Sequence, residues 1–68
     1  MDKIEIGIDY HENGKLKHRI TFVNGKKNGL AKYFNKGGNL VVEKKYKNNL
    51  LHGTCRTWND NQELEEIL

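Results

Sequence analysis

The chain has 68 residues, 35% hydrophobic and 31% charged, with a formal net charge of +3. A chain this short forms one domain, residues 1–68, and buries only about 60% of the surface that its unfolded form exposes, so a thick core is excluded. No apolar run approaches the roughly 20 residues that a membrane span requires.

The charge is unevenly placed. Residues 1–58 carry all 12 Lys and Arg against five acids, a balance of +7, and residues 59–68 carry four acids and no base. Proline is absent, which suits uninterrupted strand pairing. Cys55 is the lone cysteine, so no intrachain disulfide forms. The opening Met-Asp-Lys-Ile-Glu has no apolar signal core, and with the unpaired thiol this leads us to expect a reducing, cytoplasmic setting.

Along the chain, turn signals fall at Asn13-Gly14, Asn24-Gly25, Gly37-Gly38, Asn48-Asn49 and Asn61-Gln62. Asn and Gly tolerate the positive φ that tight turns demand. Strands are predicted between them near 3–10, 15–23, 29–35, 39–47, 53–58 and 63–68. The last segment also has a helical reading, because Asp60 and Glu63 resemble a capping start and Leu64, Ile67 and Leu68 are helically spaced. Strand is preferred there, because Leu16, Leu40 and Leu64 recur in register.

That recurrence runs through the chain with a period of 24 residues: Gly14 falls on Gly38, Asn24 on Asn48, Gly29 on Gly53, and Tyr10 on Phe34 and Trp58. The repeats lie near 10–33 and 34–57, with partial copies at both ends. A period in this range indicates one supersecondary unit stacked on copies of itself. Even positions (Ile4, Ile6, Ile8, Tyr10, Leu16, Ile20, Phe22, Leu30, Phe34, Leu40, Val42, Tyr46, Trp58) are nearly all apolar. Odd positions (Glu5, Asp9, Lys15, Lys17, Arg19, Glu43, Lys45, Lys47) are mostly polar. The repeat length being even, all even residues are expected on one apolar face and all odd ones on a lysine-rich wet face. The fold class is therefore all-β: a single-layer antiparallel β-meander of about three stacked hairpin repeats, with a short C-terminal helix as the alternative ending.

The segments Tyr10-His-Glu-Asn-Gly-Lys-Leu-Lys17 and Phe22-Val-Asn-Gly-Lys-Lys-Asn-Gly29, followed by the aromatic pair Tyr33-Phe34, resemble the bacterial variant of the MORN repeat. The second copy is looser: Asn49 stands where the family has a turn glycine, and Leu50-Leu51 where it has polar residues. The resemblance spans about residues 10–64 and implies stacked β-hairpins acting as a binding module, of the YwqK-like antitoxin type or a protein-interaction scaffold. It transfers no catalytic or cofactor residue.

The residues themselves point the same way. His11, His18, His52 and Cys55 lack zinc-motif spacing, serine is absent, and Gly37-Gly38 reads as a turn, not a phosphate loop. We expect no enzyme, no cofactor and no metal. The expected partner is a protein, a toxin or nuclease that the chain inhibits or scaffolds, met through Tyr10, Phe34, Trp58 and Tyr33 with Lys15, Lys17, Arg19, Lys45 and Lys47. Direct nucleic-acid binding by the lysine face is the alternative, weakened by the scarcity of arginine and of odd-register aromatics. No membrane partner is expected. An uncovered apolar face and two unpaired sheet edges lead us to expect a homodimer, by face or by edge.

Overall fold

The computed structural model describes all residues, 1–68, and shows six strands and no helix. They are β1 (Ile4–Tyr10), β2 (Leu16–Val23), β3 (Lys26–Phe34), β4 (Leu40–Lys47), β5 (Leu50–Trp58) and β6 (Leu64–Ile67). Each pairs antiparallel with the next in one open sheet of order β1-β2-β3-β4-β5-β6. The C-terminal segment is thus a strand, and the helical alternative is overturned. Its backbone groups pair with β5, where Leu68 and Cys55 exchange N–H···O bonds of 2.7 and 3.0 Å.

Two kinds of turn alternate. Asn24-Gly25 (φ 52° and 79°) and Asn48-Asn49 (φ 50° and 71°) form two-residue hairpins with both centres left-handed, the twist that matches paired strands. The longer links, residues 11–15, 35–39 and 59–63, each place their fourth residue at positive φ: Gly14 at 86°, Gly38 at 88° and Gln62 at 65°. In the second and third, an Asn carboxamide organises the loop. Asn35 Oδ1 accepts from the N–H of Gly37 and Asn39 at 2.9 and 3.0 Å, and Asn59 Oδ1 accepts from Asn61 and Glu63 at 2.9 and 3.1 Å. In the first link His11 takes that place. Its Nε2 lies 2.8 Å from the Phe34 carbonyl, tying the loop to the next repeat.

Strands β3 and β5 begin earlier than the sequence pattern suggests, at Lys26 and Leu50, because they run on through bulges at Gly29 and Gly53. Both glycines hold positive φ, 94° and 99°. A Cβ there would meet nothing closer than 3.8 Å, so what the position requires is backbone handedness and not space.

The expectation that all even residues share a face is wrong, and the hairpins explain why. Directly opposed residues in an antiparallel pair point to the same side. The pairs are Gly7↔Ile20, Ile20↔Ala31, Ala31↔Lys44 and Lys44↔Cys55, so along the strands an even residue faces an odd one, except beyond the bulges at the long-loop ends, where Tyr10↔Leu16, Phe34↔Leu40 and Trp58↔Leu64 pair even with even. A two-residue turn joining Val23 to Lys26 reverses parity, and so does each longer link with its bulge. The 24-residue period preserves parity between repeats but not between the strands inside one. Up to those bulged ends the core face therefore takes even residues from β2, β4 and β6 and odd residues from β1, β3 and β5.

On that core face one row runs Gly7, Ile20, Ala31, Lys44, Cys55, and the next runs Asp9, His18, Tyr33, Val42, Thr57, Glu66. Only Ile20 (9% exposed) and Ala31 (0%) are buried. Small residues recur at Gly7, Ala31 and Cys55, one per repeat, so the larger side chains beside them lie down over the sheet. The Phe22 ring sits where a Cβ on Gly7 would be, 2.9 Å away. The molecule is one layer, 41 × 29 × 12 Å, and its radius of gyration of 12.8 Å exceeds the roughly 11 Å of a compact chain this long. With so little buried, the 39 backbone–backbone hydrogen bonds and the turn geometry carry much of the specification of the fold.

Candidate binding surfaces

The residues singled out from the sequence fall in three places. Tyr10, Phe34 and Trp58 end β1, β3 and β5 at the same end of the sheet, and each opposes a leucine across a bulge: Leu16, Leu40 and Leu64. The result is a row of alternating aromatic and leucine side chains beside the long loops. Tyr10 is 60% exposed, while Phe34 and Trp58 are half-buried. Lys15 and Lys17 are at this end too. Lys15 donates from Nζ to the Gly37 carbonyl at 3.2 Å, and Lys17 is the extra residue of the β2 bulge.

Tyr33 lies apart, on the core face. Its ring centroid is 5.9 Å from that of His18, and the Lys44 ammonium sits 5.8 Å over it. One step along, Lys27 stands 5.1 Å over Tyr46. In both pairs the ammonium is over the ring face within the roughly 6 Å at which a cation–π attraction acts.

Arg19, Lys45 and Lys47 alternate onto the open face, but not as part of an all-odd lysine surface. The register brings in residues that parity had assigned elsewhere, in the row Ile8, Arg19, Lys32, Glu43, Arg56, Ile67 across all six strands. Glu43 sits between Lys32 and Arg56 and accepts from Arg56 Nη1 at 3.2 Å. Lys45 helps line a shallow depression of about 440 Å³ beside this row, with Leu30, Glu43, Lys44, Gly53, Thr54 and Arg56. At one margin of the open face, β1 presents Ile4, Ile6 and Ile8, all exposed.

The face of Lys32 and Arg56 was missed because parity was carried through the hairpins unchanged. The two-residue Asn24-Gly25 turn held the signal, since it must join an odd strand end to an even strand start. The chemistry of the three places is that of contact: apolar side chains, stacked cations and one exposed ion pair. No three His, Cys, Asp or Glu side chains are grouped as metal ligands.

No curated protein and no solved structure matches the chain. A family model described as "MORN repeat variant" matches residues 6–24 and 27–48, more than half of the chain. Such repeats are generally associated with protein- or membrane-binding modules and not with catalysis. The matched segments flank the Asn24-Gly25 turn and contain the Gly29 bulge and the Asn35 loop, features that build the sheet, and the chain belongs to the MORN repeat variant family.

Proposed function

We propose that the protein is a small non-enzymatic binder that inhibits or scaffolds another protein by occupying its surface. The observation that carries this reading is the absence of a covering layer. A sheet 12 Å thick leaves eleven large hydrophobic side chains exposed, among them Ile4, Ile6, Ile8, Tyr10 and Leu30. Apolar surface in a sheet with nothing packed on it is characteristic of an interaction surface. The isoleucine margin beside Arg19, Lys32 and Arg56 suits a partner that offers apolar side chains flanked by carboxylates. A toxin or nuclease held inactive in this way is the most specific form of the reading, as an antitoxin or a phage counter-defence inhibitor would act.

The distribution of positive charge supports a protein partner over nucleic acid. Arg19, Lys32, Lys45, Lys47 and Arg56 are on the open face with Glu43 set between Lys32 and Arg56, Lys27 and Lys44 are on the core face over tyrosines, and Lys15 is tied down at a loop. Phosphate recognition favours one continuous basic stripe. The test is capture from the source cell at low and high salt, with Trp58→Ala and Phe34→Ala as controls. A protein partner retained at high salt and lost with the aromatic variants is the expected result. Recovery of nucleic acid alone, falling steeply with salt and abolished by charge reversal at Lys15, Lys17 and Lys45, overturns the reading.

A further inference from the structure

The outer edge of β1 has a pattern that matches itself. Lys3 turns both of its backbone groups toward β2, its carbonyl accepting from Asn24 N–H at 2.8 Å and its N–H donating to Asn24 Oδ1 at 2.9 Å. Strand alternation makes Glu5, Gly7 and Asp9 do the same, so Ile4, Ile6 and Ile8 aim their N–H and C=O groups away from the sheet. No strand pairs on that side. The free stretch ends at Ile8, because the next outward N–H, that of Tyr10, is already held by Asp9 Oδ1 at 2.9 Å. Three outward residues remain, and Ile6 is their midpoint.

We propose that this edge pairs with the same edge of a second copy, antiparallel and two-fold symmetric about Ile6. The pairing goes beyond the function proposed above and does not depend on it. Ile6 opposes Ile6 of the second copy, and Ile4 opposes Ile8 in both directions, so all three outward residues of each copy enter the ladder. The six isoleucine side chains then form one continuous strip on the open face, where they are 67%, 41% and 48% exposed at Ile4, Ile6 and Ile8 in the single chain. On the other face Lys3 opposes Asp9 of the second copy twice, and Glu5 opposes Gly7. Charge selects this register among those the backbone permits. Centring on Gly7 sets Glu5 against Asp9 at both ends, and centring on Glu5 sets the two Glu5 carboxylates against each other. A head-to-tail array is disfavoured as well. Extending the His18↔Tyr33 pairing into a next copy places Glu66, two repeats after His18, against Asp9, one repeat before Tyr33. Strand β6 is also short, four residues with two glutamates.

The test uses the full chain in sedimentation equilibrium with the charge pair swapped. Lys3→Asp alone, or Asp9→Lys alone, places like charges opposite at both ends and is expected to weaken the dimer about tenfold or more. A mixture of the two variants restores both attractive pairs, so its hetero-dimer is expected at near-native affinity. A defect in the fold of either variant is not repaired by mixing. Amide exchange on the native chain gives an independent reading: the N–H groups of Ile4, Ile6 and Ile8 become protected as concentration rises, and that of Glu5 does not change. A native chain monomeric at every concentration up to about 1 mM overturns the proposal. So does a dimer that the mixture fails to restore, or one formed without protection of those three amides.

Discussion

Replacing Gln62 with Gly should stabilise the protein, because the three long links share one backbone conformation that glycine suits. Each puts its fourth residue in the left-handed region: Gly14 at φ 86°, Gly38 at φ 88° and Gln62 at φ 65°. An L-residue there suffers contact between Cβ and the carbonyl oxygen, which costs roughly 1–2 kcal/mol. Glycine avoids that strain but gives the unfolded chain more freedom, an opposing effect of roughly 0.5–1 kcal/mol. The backbone bond that Gln62 makes, its N–H to the Asn59 carbonyl at 3.1 Å, survives the change. The net expectation for Gln62→Gly is a gain of about 0.5–1 kcal/mol. For a chain this short 1 kcal/mol moves the melting midpoint by about 4–8 °C, so the shift is readily measured by circular dichroism. Gly38→Ala is the reverse experiment. Its Cβ would meet only the Lys15 side chain, at ordinary distances of 3.5 and 3.9 Å, so its loss, about 1 kcal/mol or more, isolates the backbone conformation. A Gln62→Gly protein that melts at or below the native temperature, with Gly38→Ala unchanged, would refute the argument.

Two further outcomes follow from the same geometry. Gly53→Val places a β-branched residue at φ 99°, with its nearest neighbour 3.9 Å away; urea unfolding should show a loss of about 2–3 kcal/mol from strain, and Gly53→Asn a much smaller one. Asn35→Ala removes the acceptor of two loop N–H groups, and the midpoint in denaturant should fall by the equivalent of about 1–2 kcal/mol, whereas an unchanged midpoint would mean that water replaces the carboxamide fully.

Much of the fold was legible in the sequence, for local reasons. The Asn and Gly pairs mark turns because few other residues tolerate the dihedrals. Each predicted pair lies in a turn, from Asn13-Gly14 to Asn61-Gln62. The strand character of 64–67 was legible through Leu64, which continues the Leu16 and Leu40 series and opposes Trp58 as they oppose Tyr10 and Phe34. A strand's existence depends on its own residues and its turns. These are short-range properties, and the period of 24 residues repeats them.

Which side chains share a face was decided only when strands paired. Parity along one strand is local, but parity between strands depends on the number of residues in each turn and on every bulge. Arg19 therefore meets Lys32 and Glu43 meets Arg56, across pairs that the even–odd pattern had separated. Ile8 and Ile20, both even and both apolar, lie on opposite faces, one exposed and one buried. The free edge of β1 is tertiary for the same reason. That Ile4, Ile6 and Ile8 point their amides outward is set by the bonds of Lys3 to Asn24, 21 residues along the chain. Composition and spacing determined that this chain would form a repeating sheet. The hydrogen-bond register alone decided what each face of that sheet presents, because a shift of one residue exchanges the two faces.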